Sequence, residues 1–138
     1  MEIIFVSFVK YFDLAANFYQ KLSVLFPIKK LEMKVILSFI SFSKDEKILD
    51  VGCGPGIYLK EIEDKVSASI GLDNSEKMIK QAKRICHKSY FIIDDAERFN
   101  LNIKFDKVLC LGVLEFCKNP KAILQSFVFK GQFFWLFL

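Results

Sequence analysis

Residues 47–62, KILDVGCGPGIYLKEI, hold the feature that most restricts how this chain can fold. A short apolar run carries an acid at Asp50. Three glycines then stand at alternate positions, Gly52, Gly54 and Gly56, and a helical pattern begins at Ile57. A strand that turns through a glycine-rich loop into a helix opens a β-α-β unit. Such a loop lets a ligand lie directly against main chain. A tight turn requiring positive φ accounts for one glycine, or for two. The alternate spacing of all three points to close approach by a ligand.

The rest of the chain continues the alternation. Lys47 to Val51 reads as a strand and Ile57 to Lys65 as a helix. Ala68 to Leu72 is a second strand, ending at Asp73, and Asn74-Ser75 cap a helix over Glu76 to His87. Tyr90 to Ile93 is a third strand, followed by Asp94-Asp95. Val108 to Leu111 is a fourth, introduced by Phe105-Asp106, and Asn119-Pro120 starts another helix. The tail from about Gln132 is expected to be a fifth strand. Upstream, Phe5, Phe8, Phe12, Ala15, Ala16, Tyr19 and Leu22 lie three and four apart, which predicts one helix over residues 2–22. Pro27 interrupts that pattern, and a second helix is expected from about Lys29 to Phe42. The strands are continuous apolar runs, the mark of a parallel sheet covered on both faces. The expected fold is α/β, a Rossmann-like doubly wound sheet of about five mostly parallel strands. At 138 residues the chain reads as a single domain, with residues 1–42 as N-terminal helices and 47–138 as the core.

In such sheets ligands sit beyond the carboxyl ends of the strands. Those ends carry Asp50, Gly52, Asp73, Asp94, Asp95 and Gly112, scattered in sequence but expected to converge in space. A dinucleotide loop, G-x-G-x-x-G, requires glycine at position 57, which is Ile. No G-x-x-x-x-G-K-[ST] occurs, which excludes a P-loop. The net charge of +4 is mild and the lysines are dispersed, so no nucleic-acid footprint is read. The four cysteines, Cys53, Cys86, Cys110 and Cys117, have no CxxC spacing, and His87 is the only histidine; reduced thiols and no metal are expected. The apolar stretches are broken by lysine short of the ~20 residues a membrane span needs. A cytoplasmic location is the expectation.

The segment ILDVGCGPG is very similar to the first motif of class I S-adenosylmethionine-dependent methyltransferases. SIGLDNSEKMIKQAK resembles that family's second strand, terminal acid and following helix. FIIDDAERF resembles its third strand with an Asp-Ala pair, and FDKVLCLGVLEFCKNPKAIL its fourth strand, loop and next helix. KYFDLAANFYQKL looks like the N-terminal lid helix of the small-molecule branch. The resemblance covers roughly residues 10 to 125.

The resemblance implies S-adenosyl-L-methionine as cofactor, held by Asp50, Gly52, Cys53, Gly54, Gly56, Asp73, Asn74, Met78, Asp95, Ala96, Leu111 and Gly112. Asp73 is placed to accept both ribose hydroxyls. Asp95 is placed to accept from the adenine amino group and the Ala96 N–H to donate to a ring nitrogen; Asp94 stands where the family more often has a small residue. Met78 and Ile57 are candidates to pack on the adenine or in the core. Gly52 and Gly54 leave room for the methionine portion, Asp50 is expected to order the turn, and the carbonyls of Leu111 and Gly112 to hold the amino group. Tyr11, Phe12 and Tyr19 are candidates for closing the site. Phe116 stands where the family pattern often has histidine, and no catalytic base is named.

Transfer of an activated methyl is a one-step displacement in which proximity and orientation carry the catalysis. The implied acceptor is a small molecule, with neither nucleic acid nor membrane as partner. Beyond the fourth strand SFVFKGQFFWLFL keeps only Lys130-Gly131 of the family's turn, and the family's last two strands have no counterpart. Six of the twelve residues from Phe127 are aromatic. An unpaired outer edge near Phe133 to Phe137 is expected to drive dimerisation or aggregation. The alternative is a non-catalytic, cofactor-binding remnant of a longer methyltransferase. A dinucleotide oxidoreductase is a third reading, which the glycine spacing opposes.

Overall fold

The computed structural model of the protein describes residues 2–5, 26–125 and 127–136. Its elements in chain order are β1 (Glu2–Phe5), α1 (Phe26–Ser38), β2 (Lys47–Val51), α2 (Ile57–Ile62), β3 (Ala68–Asp73), α3 (Glu76–Ile85), β4 (Tyr90–Ile93), β5 (Leu101–Leu111), a 3-10 turn at Leu114–Phe116, α4 (Pro120–Gln125) and β6 (Phe127–Leu136). Six strands form one sheet in the order β1-β6-β5-β2-β3-β4. Every pairing is parallel. This is the doubly wound α/β arrangement the alternating pattern demands.

The central strand β2 is buried along Ile48, Leu49, Asp50 and Val51. Apolar side chains cover both of the sheet's faces. One cluster joins Leu49, Val51, Leu72, Phe99, Phe105, Val108 and Ile123. The other joins Ile40, Ile48, Leu59, Ile62, Ile79 and Leu109. Helix α3 buries Ile79 and Ala82 and turns its lysines outward, and the Ser75 hydroxyl accepts from the Met78 N–H at its start. Helix α1 buries Met33 and Ile36, three apart, and Ile40 is buried just past its end.

Two carboxylates fasten the end of the sheet away from the cleft. The Glu63 side chain, 1% exposed, takes the Lys60 ammonium at 3.0 Å. It also accepts backbone N–H groups from His87 (3.1 Å), Lys88 (2.9 Å) and Ser89 (3.2 Å). Burial opposes its charge, but the bonds from Lys88, Lys60, His87 and Ser89 outweigh it and draw the pKa down to about 2. Lys107, buried, pairs with Glu46.

Five expectations are corrected. Residues 2–5 form a strand instead of the start of a helix, and β1 pairs Glu2–Phe5 with Gln132, Phe133, Phe134 and Trp135. The β6 edge expected to be open is thereby covered along those residues, which removes the reason given for association through it. The last strand starts at Phe127, well before Gln132, so the sheet has six strands. Strand β5 starts at Leu101, where Leu101, Ile103 and Phe105 alternate with polar residues. Pro27 lies inside α1, in its first turn, where its missing N–H costs nothing. Tyr11, Phe12 and Tyr19 lie outside the described residues. Among the described residues no helix is long and apolar enough to cross a membrane.

Candidate functional site

The carboxyl ends of β2, β3 and β5 and the loop after β4 converge, and two cavities open there. One, of about 340 Å³, is lined by Leu72, Asp73, Asn74, Asp95, Ala96, Glu97, Val113, Phe116 and Cys117. The other, of about 580 Å³, is lined by Asp50, Cys53, Gly54, Pro55 and Leu111 on the sheet side. Its other walls are Lys30, Glu32 and Met33 of α1, Ile57, Tyr58, Lys60 and Glu61 of α2, and Ile85 of α3. Gly52 and Gly112 line both, which makes the cavities two halves of one cleft.

Of the twelve residues singled out from the sequence, ten line this cleft. Gly56 and Met78 line neither half. Met78 is 37% exposed on α3. Gly56 is buried against α3, and a Cβ on it would stand 2.8 Å from the Ala82 Cβ. All three loop glycines have positive φ, 71°, 53° and 80°, so turn geometry accounts for more of them than the spacing suggested. A Cβ on Gly52 would clash with the Val113 Cγ2. Only around Gly54, of the three, does no atom of the described residues lie within 4 Å of that position. Turn and packing thus explain Gly52 and Gly56, and open space toward the cleft distinguishes Gly54.

The loop is held by β3. The N–H groups of Gly52 and Cys53 donate to the Leu72 carbonyl at 2.7 and 3.0 Å. The Gly54 N–H donates to Asp73 Oδ2 at 2.8 Å, and the Ser75 N–H donates to Asp73 Oδ1, also at 2.8 Å. Asp73 therefore ties the glycine loop to the start of α3 while it faces the smaller cavity. Each of its oxygens keeps acceptor capacity for a further donor.

Among the described residues Asp50 takes no N–H of the turn, since those groups are satisfied elsewhere. Its Oδ2 is buried and has no hydrogen-bond partner among the described residues. Burial first, and the nearby Asp73 charge second, push its pKa up to about 8. Near pH 7 the group is predominantly the neutral acid. The same burial, with Asp50 and Asp73 adding negative charge, raises the Cys53 thiol far above its usual range and makes it a poor nucleophile.

Of the paired acids after β4, Asp95 lines the smaller cavity. Its Oδ1 accepts the Glu97 N–H at 2.8 Å, and its Oδ2 pairs with Arg98 at 3.0 Å. The Glu97 bond first, and Arg98 beside it, lower its pKa. Asp94 is exposed and accepts the Asp95 N–H at 2.7 Å. Glu97, Val113 and Cys117 escaped the sequence reading, since each needs the β4 and β5 loops to be folded together before it meets the cleft. In the larger cavity the same is true of Met33, Tyr58 and Ile85, whose helical spacing reads as core.

Residues 49–128 match a family model described as a methyltransferase domain. The chain is 36% identical over 103 residues to a tRNA U34 carboxymethyltransferase of Campylobacter fetus subsp. fetus, covering 64% of this chain and 36% of that protein. It is 31% identical over 110 residues to a ubiquinone biosynthesis O-methyltransferase of Idiomarina loihiensis, covering 72% of this chain and 45% of that one. Among solved structures, a SAM-dependent methyltransferase from Thiobacillus denitrificans, in complex with S-adenosyl-L-homocysteine, superposes with a TM-score of 0.59 at 23% identity. That match covers 72% of this chain and 44% of the other. The chain thus spans less than half the length of each of these proteins.

Proposed function

The chain belongs to the methyltransferase-domain family, and from that premise we propose that its cleft binds S-adenosyl-L-methionine and serves methyl transfer to a small-molecule acceptor. The observation that carries the reading is the two-part cleft. Its smaller half has the acids suited to a nucleoside and its larger half has bare main chain at Gly54.

The residues fit the cofactor. Asp73 retains lone pairs for a ribose diol. The Ala96 N–H has no partner among the described residues and lines the same half as Asp95, a donor beside an acceptor for the edge of an adenine. The open face of Gly54 leaves room for the amino-acid portion. Asp50, whose buried Oδ2 has no partner among the described residues, belongs to the lining of that half, an acceptor near an ammonium group there. Bound, S-adenosylmethionine supplies a methyl group activated by its sulfonium for in-line displacement. What the chain adds is alignment and exclusion of water, worth as much as ~7–11 kcal/mol where reactants are well oriented. Among the described residues of the cleft we assign no general base.

Thermal unfolding with S-adenosylhomocysteine or NAD tests the reading. At 100 times its Kd the first should stabilise the chain by about 2.7 kcal/mol, and NAD should leave it unchanged. Equal shifts from both, or none from either, refute it. Binding with no transfer to any acceptor would assign the chain the role of a cofactor-binding module.

A further inference from the structure

The larger cavity holds more room than its share of the cofactor requires. On the proposed reading, on which this inference rests, the nucleoside fills the half of about 340 Å³, and the smaller amino-acid end enters the half of about 580 Å³. The surplus lies away from the strand ends, against α1, α2 and the end of α3.

The walls there define what can occupy it. Met33, Ile57, Tyr58 and Ile85 are its apolar surfaces. Met33 is only 2% exposed, so an α1 side chain from the core forms part of the wall. Among the described residues the rim carries both signs, Lys30 and Lys60 beside Glu32 and Glu61, so neither sign dominates it. Lys60 is also held by Glu63 at 3.0 Å. Asp50 lies on the sheet side and is itself 2% exposed. A charged group moved into such a space loses its hydration without gaining a counter-charge, and an apolar one loses nothing. Ligand sites of this size are in general apolar with a few polar groups that fix orientation.

We infer that the methyl acceptor is an uncharged, largely apolar small molecule, received between Met33, Tyr58 and Ile85 beside the cofactor's amino-acid end.

The test uses three probes with one ring system: 2-naphthol, naphthalene-2-sulfonate and 2-naphthylmethylammonium. Each is titrated calorimetrically into the full chain saturated with S-adenosylhomocysteine. The neutral probe should bind at least about tenfold more tightly than either charged one, a difference of about 1.4 kcal/mol. Ile85→Lys, at a position already 39% exposed and so safe for folding, should abolish that preference while S-adenosylhomocysteine still binds. Met33→Trp should fill the cavity and remove naphthol binding. Tighter binding of the sulfonate would mark an anionic acceptor and overturn the inference, as tighter binding of the ammonium would for a cationic one. So would naphthol binding that is absent from the loaded chain or unaffected by Ile85→Lys. Failure of the wild-type chain to take S-adenosylhomocysteine at all is a distinct result, and it removes the cofactor reading together with this one.

Discussion

Replacing Gly54 and Gly56 separately with alanine pulls apart the two reasons for glycine in the loop. Both have left-handed φ, 53° and 80°. That conformation costs a residue bearing a Cβ about 1–2 kcal/mol, partly offset by the roughly 0.4–1 kcal/mol a Cβ takes from the freedom of the unfolded chain. At Gly54 the structure adds nothing to this, since no atom of the described residues lies within 4 Å of the new methyl. At Gly56 the methyl would stand 2.8 Å from the Ala82 Cβ and 3.2 Å from its Cα, on the buried face of α3. Overpacking of that kind costs a further ~1–3 kcal/mol. Gly56→Ala should therefore lose roughly 1–4.5 kcal/mol, a large part of a stability that is about 5–15 kcal/mol in most domains. Gly54→Ala should lose no more than about 1–2 kcal/mol yet weaken S-adenosylhomocysteine at least about tenfold, because its methyl enters the cleft. Urea unfolding followed by circular dichroism measures the first quantity and calorimetry the second. Equal destabilisation by the two substitutions, or unchanged affinity in Gly54→Ala, would refute the division of roles.

Asp50 should make the fold less stable as pH rises. Its proton is held more tightly in the native state, with a pKa near 8 against 3.8, so the cost is absent below pH 4, grows between pH 4 and 8 and levels off above. Asp50→Asn should gain on the order of a few kcal/mol at pH 8 and little at pH 4, as read from urea midpoints at the two pH values. Asp73→Ala should weaken S-adenosylhomocysteine by roughly 1.5–3 kcal/mol for each charged hydrogen bond lost. It should also lower stability, because Gly54 and Ser75 lose their acceptor; an unchanged urea midpoint would show that those two bonds contribute nothing. Deleting residues 1–5 should uncover the β6 edge and make light scattering depend on concentration. A monomeric truncated chain would show that β1 does not protect that edge.

The glycine loop, the strand-end acids and the bounds of β2 and β4 were legible because each is written locally: an apolar run, a turn residue, an acid. What escaped depends on partners distant in sequence. Ile3, Ile4 and Phe5 form a run too short to separate strand from helix, and β6, more than a hundred residues away, decides it. Lys130-Gly131 reads as a turn. Yet Phe129 pairs with Phe105 and Gln132 with Lys107, three residues of β6 against two of β5, so the glycine marks an irregularity inside a strand. The spacing of the loop glycines suggested ligand approach at all three, since nothing in the sequence places Val113 over Gly52 or Ala82 over Gly56. The unpartnered state of Asp50 was equally hidden, because it follows from Leu72 and Asp73 taking the loop's N–H groups.

The buried Glu63 carboxylate sets the exchange clock of a turn. Backbone amides between a helix and an edge strand ordinarily trade hydrogen with water through small local openings. Those of His87, Lys88 and Ser89 are instead bonded to a side chain 24 to 26 residues earlier, at the end of α2. Closing a loop of that length costs about 3 kcal/mol of chain entropy, and the clasp re-forms only when α2 and β4 are both in place. These three amides should therefore exchange with the β2–β4 half of the sheet as one cooperative unit. Their protection would report the stability of the framework that holds Gly54 and Asp73, even though none of the three lines the cleft.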